Sequence, residues 1–210
     1  MQSRYLFRRT TNQVVQLSGS PGGGFGTSDD GVYKHLLFTI DDAGLNTSAM
    51  KSMYHQYRIN AVSMKMFFST TNSDAGMINT ASNDAHSQEY SNAQVLVYTM
   101  PNRTGRSNAP TEIEFLNTQA HKCRTALNGG RPLKTYMRVN QLDTVYNGAV
   151  QSDYTLVRPH MIGTSESTTP HYGLTLMFKR ADGQAFTSEF SNKQFVNIQW
   201  TYYLEFRGVK

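Results

Sequence analysis

Cysteine is almost missing from this chain. Of 210 residues only Cys123 carries a thiol, which excludes an intrachain disulfide framework and a metal site built from several cysteines. As a nucleophile it would need a positioned base. His121, two residues away, shares its strand face, but an ordinary half-buried strand cysteine is the simpler reading. Long apolar runs are missing too: nothing approaches the ~20 residues of a membrane-crossing helix, and MQSRYLFRRT lacks the apolar run of a signal peptide. The expectation is folding in a reducing compartment, with no membrane insertion. Helical periodicity is scarce, and only NTSAMKSMYHQ could hold one helical turn. Catalytic and metal motifs are absent: there is no Gly-x-Ser-x-Gly, HExxH or EF-hand loop. Asp41 with Asp42, and Asp84 with His86, are the only clusters that suggest metal or acid–base work. Each lies in or beside a polar loop without a second ligand group, so no active site, metal or cofactor is expected. PGGGFG at 21–26 lacks the Lys-Ser/Thr of a P-loop and reads as a surface loop. Sequons at Asn46 and Asn102 are tripeptides that arise by chance.

Period-2 alternation is what the chain has in quantity. In FVNIQWTYYLEFRGVK, Val196, Ile198, Trp200, Tyr202, Leu204 and Phe206 face one way, and Asn197, Gln199, Thr201, Tyr203, Glu205 and Arg207 the other. HYGLTLMF turns Leu174, Leu176 and Phe178 inward, and YKHLLFTI does the same with Leu36, Phe38 and Ile40. AQVLVYTM is apolar on both faces and reads as a central strand. KTYMRV and YTLVRP are shorter candidates, and RYLFRRT with NQVVQLS makes one bent strand or two. YHQYRINAVSMKMFF changes parity: Tyr57 and Ile59 belong to one set, Val62, Met64, Met66 and Phe68 to the other. A strand keeps both sets on one core only if a bulge supplies an extra residue near Asn60. Polar, turn-rich segments join the strands, the longest being SGSPGGGFGTSDDG and STTNSDAGMINTASNDAHSQEYSN; their length suggests functional surface. No repeat or linker divides the chain. The expected fold is all-β, a single domain over residues 1–210, an eight-stranded jelly-roll β-sandwich with long polar loops.

Acid is in short supply relative to base, 15 Asp and Glu against 20 Lys and Arg, for a net charge of +5. Placement says more than the total. Arg4, Arg8 and Arg9 crowd the first strand around Tyr5 and Phe7. Lys122, Arg124, Arg131 and Lys134 cluster in HKCRTALNGGRPLK, which holds no acid. Such patches neutralise phosphates, and adjacent aromatics can stack on unpaired bases. These seven cations are the candidate nucleic-acid-binding residues.

With strands placed, YHQYRINAVSMKMFF resembles the signature strand of circovirus capsid proteins: an aromatic, Tyr-Arg-Ile, a two-residue step, then Val and alternating apolars. HYGLTLMF and FVNIQWTYYLEFR resemble the last two strands of those capsids, and SRYLFRRT and KHLLFTIDD stand where the first two would. The similarity runs in order from about Arg4 to Arg207. It implies a capsid protein of a circovirus or a related circular Rep-encoding single-stranded DNA virus. Sixty copies would close a T=1 shell around single-stranded DNA, with a non-specific basic inner face. It further implies residence in the virion, assembly in the host nucleus or cytoplasm, and contact with a host-cell surface receptor. Such capsids usually begin with a long arginine-rich arm, where this sequence has only Arg4, Arg8 and Arg9 before the roll. The competing reading from the residues is a carbohydrate-binding β-sandwich module, suggested by the aromatics and long polar loops.

Overall fold

A computed structural model describes residues 4–44, 47–71, 94–102, 105, 107–126, 130–147, 150–183, 185–186 and 193–209. The strands are β1 (Arg4–Leu17), β2 (Gly26–Ser28), β3 (Gly31–Phe38), β4 (Tyr54–Thr71), β5 (Val95–Pro101), β6 (Lys122–Ala126), β7 (Leu133–Arg138), β8 (Gln141–Asn147), β9 (Val150–Val157), β10 (Ile162–Gly163), β11 (His171–Arg180) and β12 (Lys193–Val209). Two short helices interrupt them, α1 (Thr47–Met53) and α2 (Glu112–Asn117). The most polar loop, from Asn72 onward, and the Asp84–His86 pair lie outside the described residues.

Eight strands form two antiparallel sheets in jelly-roll order, β1-β12-β4-β7 and β3-β11-β5-β6. The described residues hold twelve strands, not eight. β2 extends the edge of the second sheet, β10 pairs with the start of β4, and β8 with β9 makes a separate hairpin. RYLFRRT and NQVVQLS form one continuous strand, β1.

The two sheets face each other across the core. Val196, Ile198, Trp200, Tyr202, Leu204 and Phe206 of β12 are all buried against it, with Leu36 and Phe38 of β3 and Leu176 and Phe178 of β11. Each such fully buried side chain contributes about 1.5–3 kcal/mol of transfer free energy. β4 carries the parity change: Tyr203 stands opposite Ala61 and Leu204 opposite Ile59, leaving Asn60 as the extra residue. Tyr57, Ile59, Val62, Met64 and Met66 are all at most 1% exposed, so the bulge keeps both parities on one core.

Tyr5 and Phe7 lie on core parity. Phe7 meets Phe206 edge-on at 5.3 Å, and Tyr5 lies 5.4 Å from Tyr54. They pack an aromatic cluster at one end of the sandwich.

The outer face of the second sheet is partly covered. Residues 107–118 lie across it, and α2 begins with a capping box in which Thr111 and Glu114 satisfy each other's backbone N–H groups. Phe115 is fully buried against Tyr98, Met100 and Met177. Glu112 accepts from the Tyr98 hydroxyl at 2.7 Å and pairs with Lys179; these two partners hold its carboxyl below the usual range. His35 bridges Thr175 Oγ1 and the Asn108 carbonyl.

Candidate nucleic-acid interface

The outer face of the first sheet is open. Its side chains follow from register, because alternate residues of paired strands share a face. Across the sheet run Arg4–Arg207–Gln56, Leu6–Glu205–Arg58, Arg8–Tyr203–Ala61–Arg138, Thr10–Thr201–Ser63–Tyr136 and Asn12–Gln199–Lys65–Lys134. These rows gather seven cations, Arg4, Arg8, Arg58, Lys65, Lys134, Arg138 and Arg207, and one carboxylate, Glu205. Seven minus one is +6 over these five rows. Arg4, Arg8, Lys65, Lys134 and Arg138 are exposed.

Glu205 is fully buried and gives this face no free negative charge. Arg58 donates to Oε2 from Nη2 at 2.6 Å and from Nε at 3.2 Å, and Arg207 donates to Oε1 from Nε at 2.9 Å. Arg4 Nε lies 3.0 Å from Oε1. The bulged Asn60 adds a donor to Oε2 at 3.4 Å, so the backbone irregularity in β4 also re-aims a side chain. Burial alone would raise the Glu205 pKa; hydrogen bonds from Arg58, Arg207 and Asn60 outweigh it and hold the carboxyl at about 2.

Aromatic surface is interleaved with the charge. The Arg8 guanidinium sits 6.0 Å from the centre of the Tyr203 ring, and Tyr203 meets Tyr136 edge-on at 5.9 Å. Tyr136 is 62% exposed. Phe67, also exposed, stands farther along the same face beside Asn197.

The seven residues singled out in the sequence divide. Arg4, Arg8 and Lys134 lie on the face. Arg9 has the opposite parity, opposite Tyr202, and its guanidinium donates to the Gly44 carbonyl at 3.4 Å. Lys122 and Arg124 belong to β6, the edge of the other sheet. Arg124 donates to the Lys134 carbonyl at 2.6 Å and so bridges the two sheet edges. Arg131 is exposed between β6 and β7. Arg58, Lys65, Arg138 and Arg207 escaped notice because no linear cluster marks them, although the outward parity of the strands does.

Other candidates resolve into structure. Cys123 is exposed rather than half-buried, opposite Tyr98 in the β5–β6 ladder, and the His121 ring is engaged with the Thr118 carbonyl at 2.7 Å. In the glycine-rich loop the Gly23 carbonyl accepts from Lys34 Nζ at 2.7 Å and Gln13 Nε2 at 3.0 Å. That carbonyl latches the loop onto β1 and β3 rather than cradling an anion. Asn102, of the second sequon, is 4% exposed. Asp42 accepts from the Thr39 N–H and hydroxyl. Among the described residues no group of three His, Cys, Asp or Glu could hold a metal ion. No helix among them is long and apolar enough to cross a membrane.

The fold is a jelly roll with one partly covered sheet and one open basic sheet. A family model described as circovirus capsid protein matches residues 1–210, and the chain belongs to that family. The fold agrees with two solved structures. The decameric BFDV capsid protein has a TM-score of 0.54 at 16% identity, covering 98% of this chain and 100% of that one. The 60-mer BFDV capsid protein has a TM-score of 0.51 at 13% identity, covering 98% and 94%. No curated protein matches the chain by sequence. It is a viral capsid protein, a component of the virion with a structural role, and the carbohydrate-module reading gives way to that membership.

Proposed function

We propose that this chain assembles with copies of itself into a closed T=1 shell of sixty subunits, and that the open face of the β1-β12-β4-β7 sheet holds single-stranded DNA or other packaged nucleic acid. The observation that carries the proposal is the charge partition. The described rows of one sheet face gather seven cations, and their single carboxylate is buried under three arginines. The BFDV capsid proteins of similar fold, solved as a decamer and as a 60-mer, support self-association as the mode of action.

Binding on such a face runs through phosphates. Exposed Lys and Arg displace condensed counterions, so affinity falls steeply with salt and depends little on base sequence. Tyr136, Tyr203 and Phe67 supply π-faces for unpaired bases without selecting among them. Assembly in the host nucleus or cytoplasm, and a receptor contact on the opposite side of the shell, complete the reading.

The test is electron microscopy of purified full-length protein together with nuclease challenge. The expected result is uniform small shells whose nucleic acid resists nuclease until the shell is opened. Protein that stays monomeric under all assembly conditions, or shells that never retain polynucleotide, would overturn the proposal.

A further inference from the structure

We propose that Arg4, Arg58 and Arg207, gathered on Glu205, form a discrete phosphate-binding site at one end of the basic face, taking a single phosphodiester of the bound strand. This rests on the reading of the face as a polynucleotide surface and adds a defined subsite to it.

Three strands build the cluster. β1 contributes Arg4, β4 contributes Arg58, and β12 contributes both Arg207 and Glu205 in adjacent rows of the ladder. Three guanidiniums carry roughly fifteen N–H donors, while one carboxylate accepts roughly four hydrogen bonds. Glu205 therefore cannot consume the donors it attracts. Three positive charges against one negative leave the cluster at +2. No other acidic side chain among the described residues lies on this sheet's outward rows. The side chains of Arg4 and Arg207 are 54% and 36% exposed and Arg58 is 17% exposed, so the unused donors reach solvent over a carboxylate that is fully buried.

Glu205 acts here as an anchor. It fixes each guanidinium through Nε or Nη2, leaving the remaining edges of the planar forks to face outward. Holding three long side chains in place before a ligand arrives removes much of the ordering cost of binding. Asn60 completes the anchor without adding charge. Planar, bidentate donors match the tetrahedral oxygens of phosphate better than a mobile ammonium does. Lys65 and Lys134, farther along the face, offer point charge only.

The experiment measures oligothymidylate affinity of dissociated full-length subunits for the parent, Arg4→Lys, Arg207→Lys and, as a control off the basic face, Arg131→Lys. All three replacements keep the charge, so the salt slope should be unchanged. Arg4→Lys and Arg207→Lys should each weaken binding about tenfold, the loss of roughly one charge-assisted hydrogen bond, while Arg131→Lys leaves it unchanged. Inorganic phosphate should raise the melting temperature of the parent, and raise it less in Arg4→Lys and Arg207→Lys. If both replacements match Arg131→Lys while the parent still binds DNA, the discrete site is wrong and the general face survives. A parent that binds no DNA defeats both. Equal stabilisation by acetate would overturn the phosphate assignment and point to a carboxylate from another protein instead.

Discussion

The two sheets of this sandwich have the same strand count in the roll and opposite outer surfaces. On the β3-β11-β5-β6 sheet, residues 107–118 fold back as a lid. Phe115 is buried, Glu112 is tied to Tyr98 and Lys179, and His35 is tied to Thr175 and Asn108. On the β1-β12-β4-β7 sheet nothing among the described residues covers Arg8, Lys65, Tyr136 or Arg138. One outer face thus contributes to stability, and the other is left available to a partner. The charge follows the same division: five rows of the open face carry seven cations and one buried carboxylate.

The largest effect that would sharpen this contrast is Phe115→Ala. Truncating a fully buried aromatic beneath α2 should cost about 3–5 kcal/mol, read as a shift in urea midpoint. The same measurement on Arg138→Ala, on the open face, should move stability by no more than about 0.5 kcal/mol. Comparable losses at both positions would erase the distinction.

A smaller effect comes from acid. Burial pushes the His171 pKa down from 6.5 to about 4, against hydrogen bonds to the Thr169 and Phe38 backbone that act the other way. Its ring also contacts the Gln141 amide at 3.0 Å. The folded protein holds this imidazole neutral, while the unfolded chain takes up a proton first as pH falls. Stability from this group is therefore complete above about pH 6.5, is lost progressively towards pH 4, and changes no further below it; the total is about 3 kcal/mol. His171→Gln should flatten the stability profile in that window. Glu205, held at about 2, should leave its trace only below pH 4.5, so the basic face keeps its internal ion pairs where His171 is already failing. Next in size is Thr111→Ala, which removes the helix cap and should cost about 1 kcal/mol, again with no change in DNA binding.

Much of the fold was legible because alternation is a local property. The twelve-residue pattern ending at Arg207 and the parity change at Asn60 both follow from side-chain period alone, and register confirms each. The helix at 112–117 left only a Thr-x-x-Glu signature too short for a periodicity argument. The site was half legible. Arg4 and Arg8 stood out as neighbours in sequence, yet parity sends adjacent Arg9 to the other side. The grouping of Arg4, Arg58 and Arg207 on one carboxylate depends on which strands pair, and no single stretch of sequence carries that information. The acid-free run from His121 to Lys134 suggested a patch, but its residues divide between two sheet edges, with only Lys134 on the open face.

Whether nucleic acid binds through the open sheet face is decided by a salt series. Single-stranded DNA affinity should be measured for dissociated subunits of the parent, of the quadruple Ala variant at Arg8, Lys65, Lys134 and Arg138, and of a Lys122→Ala, Arg131→Ala control. Each engaged cation contributes about 0.7 to the logarithmic salt slope on single strands. The quadruple variant should lose about 3 from that slope while the control keeps the parent's value. An unchanged slope in the quadruple variant, or an equal loss per charge in the control, would contradict binding through that face.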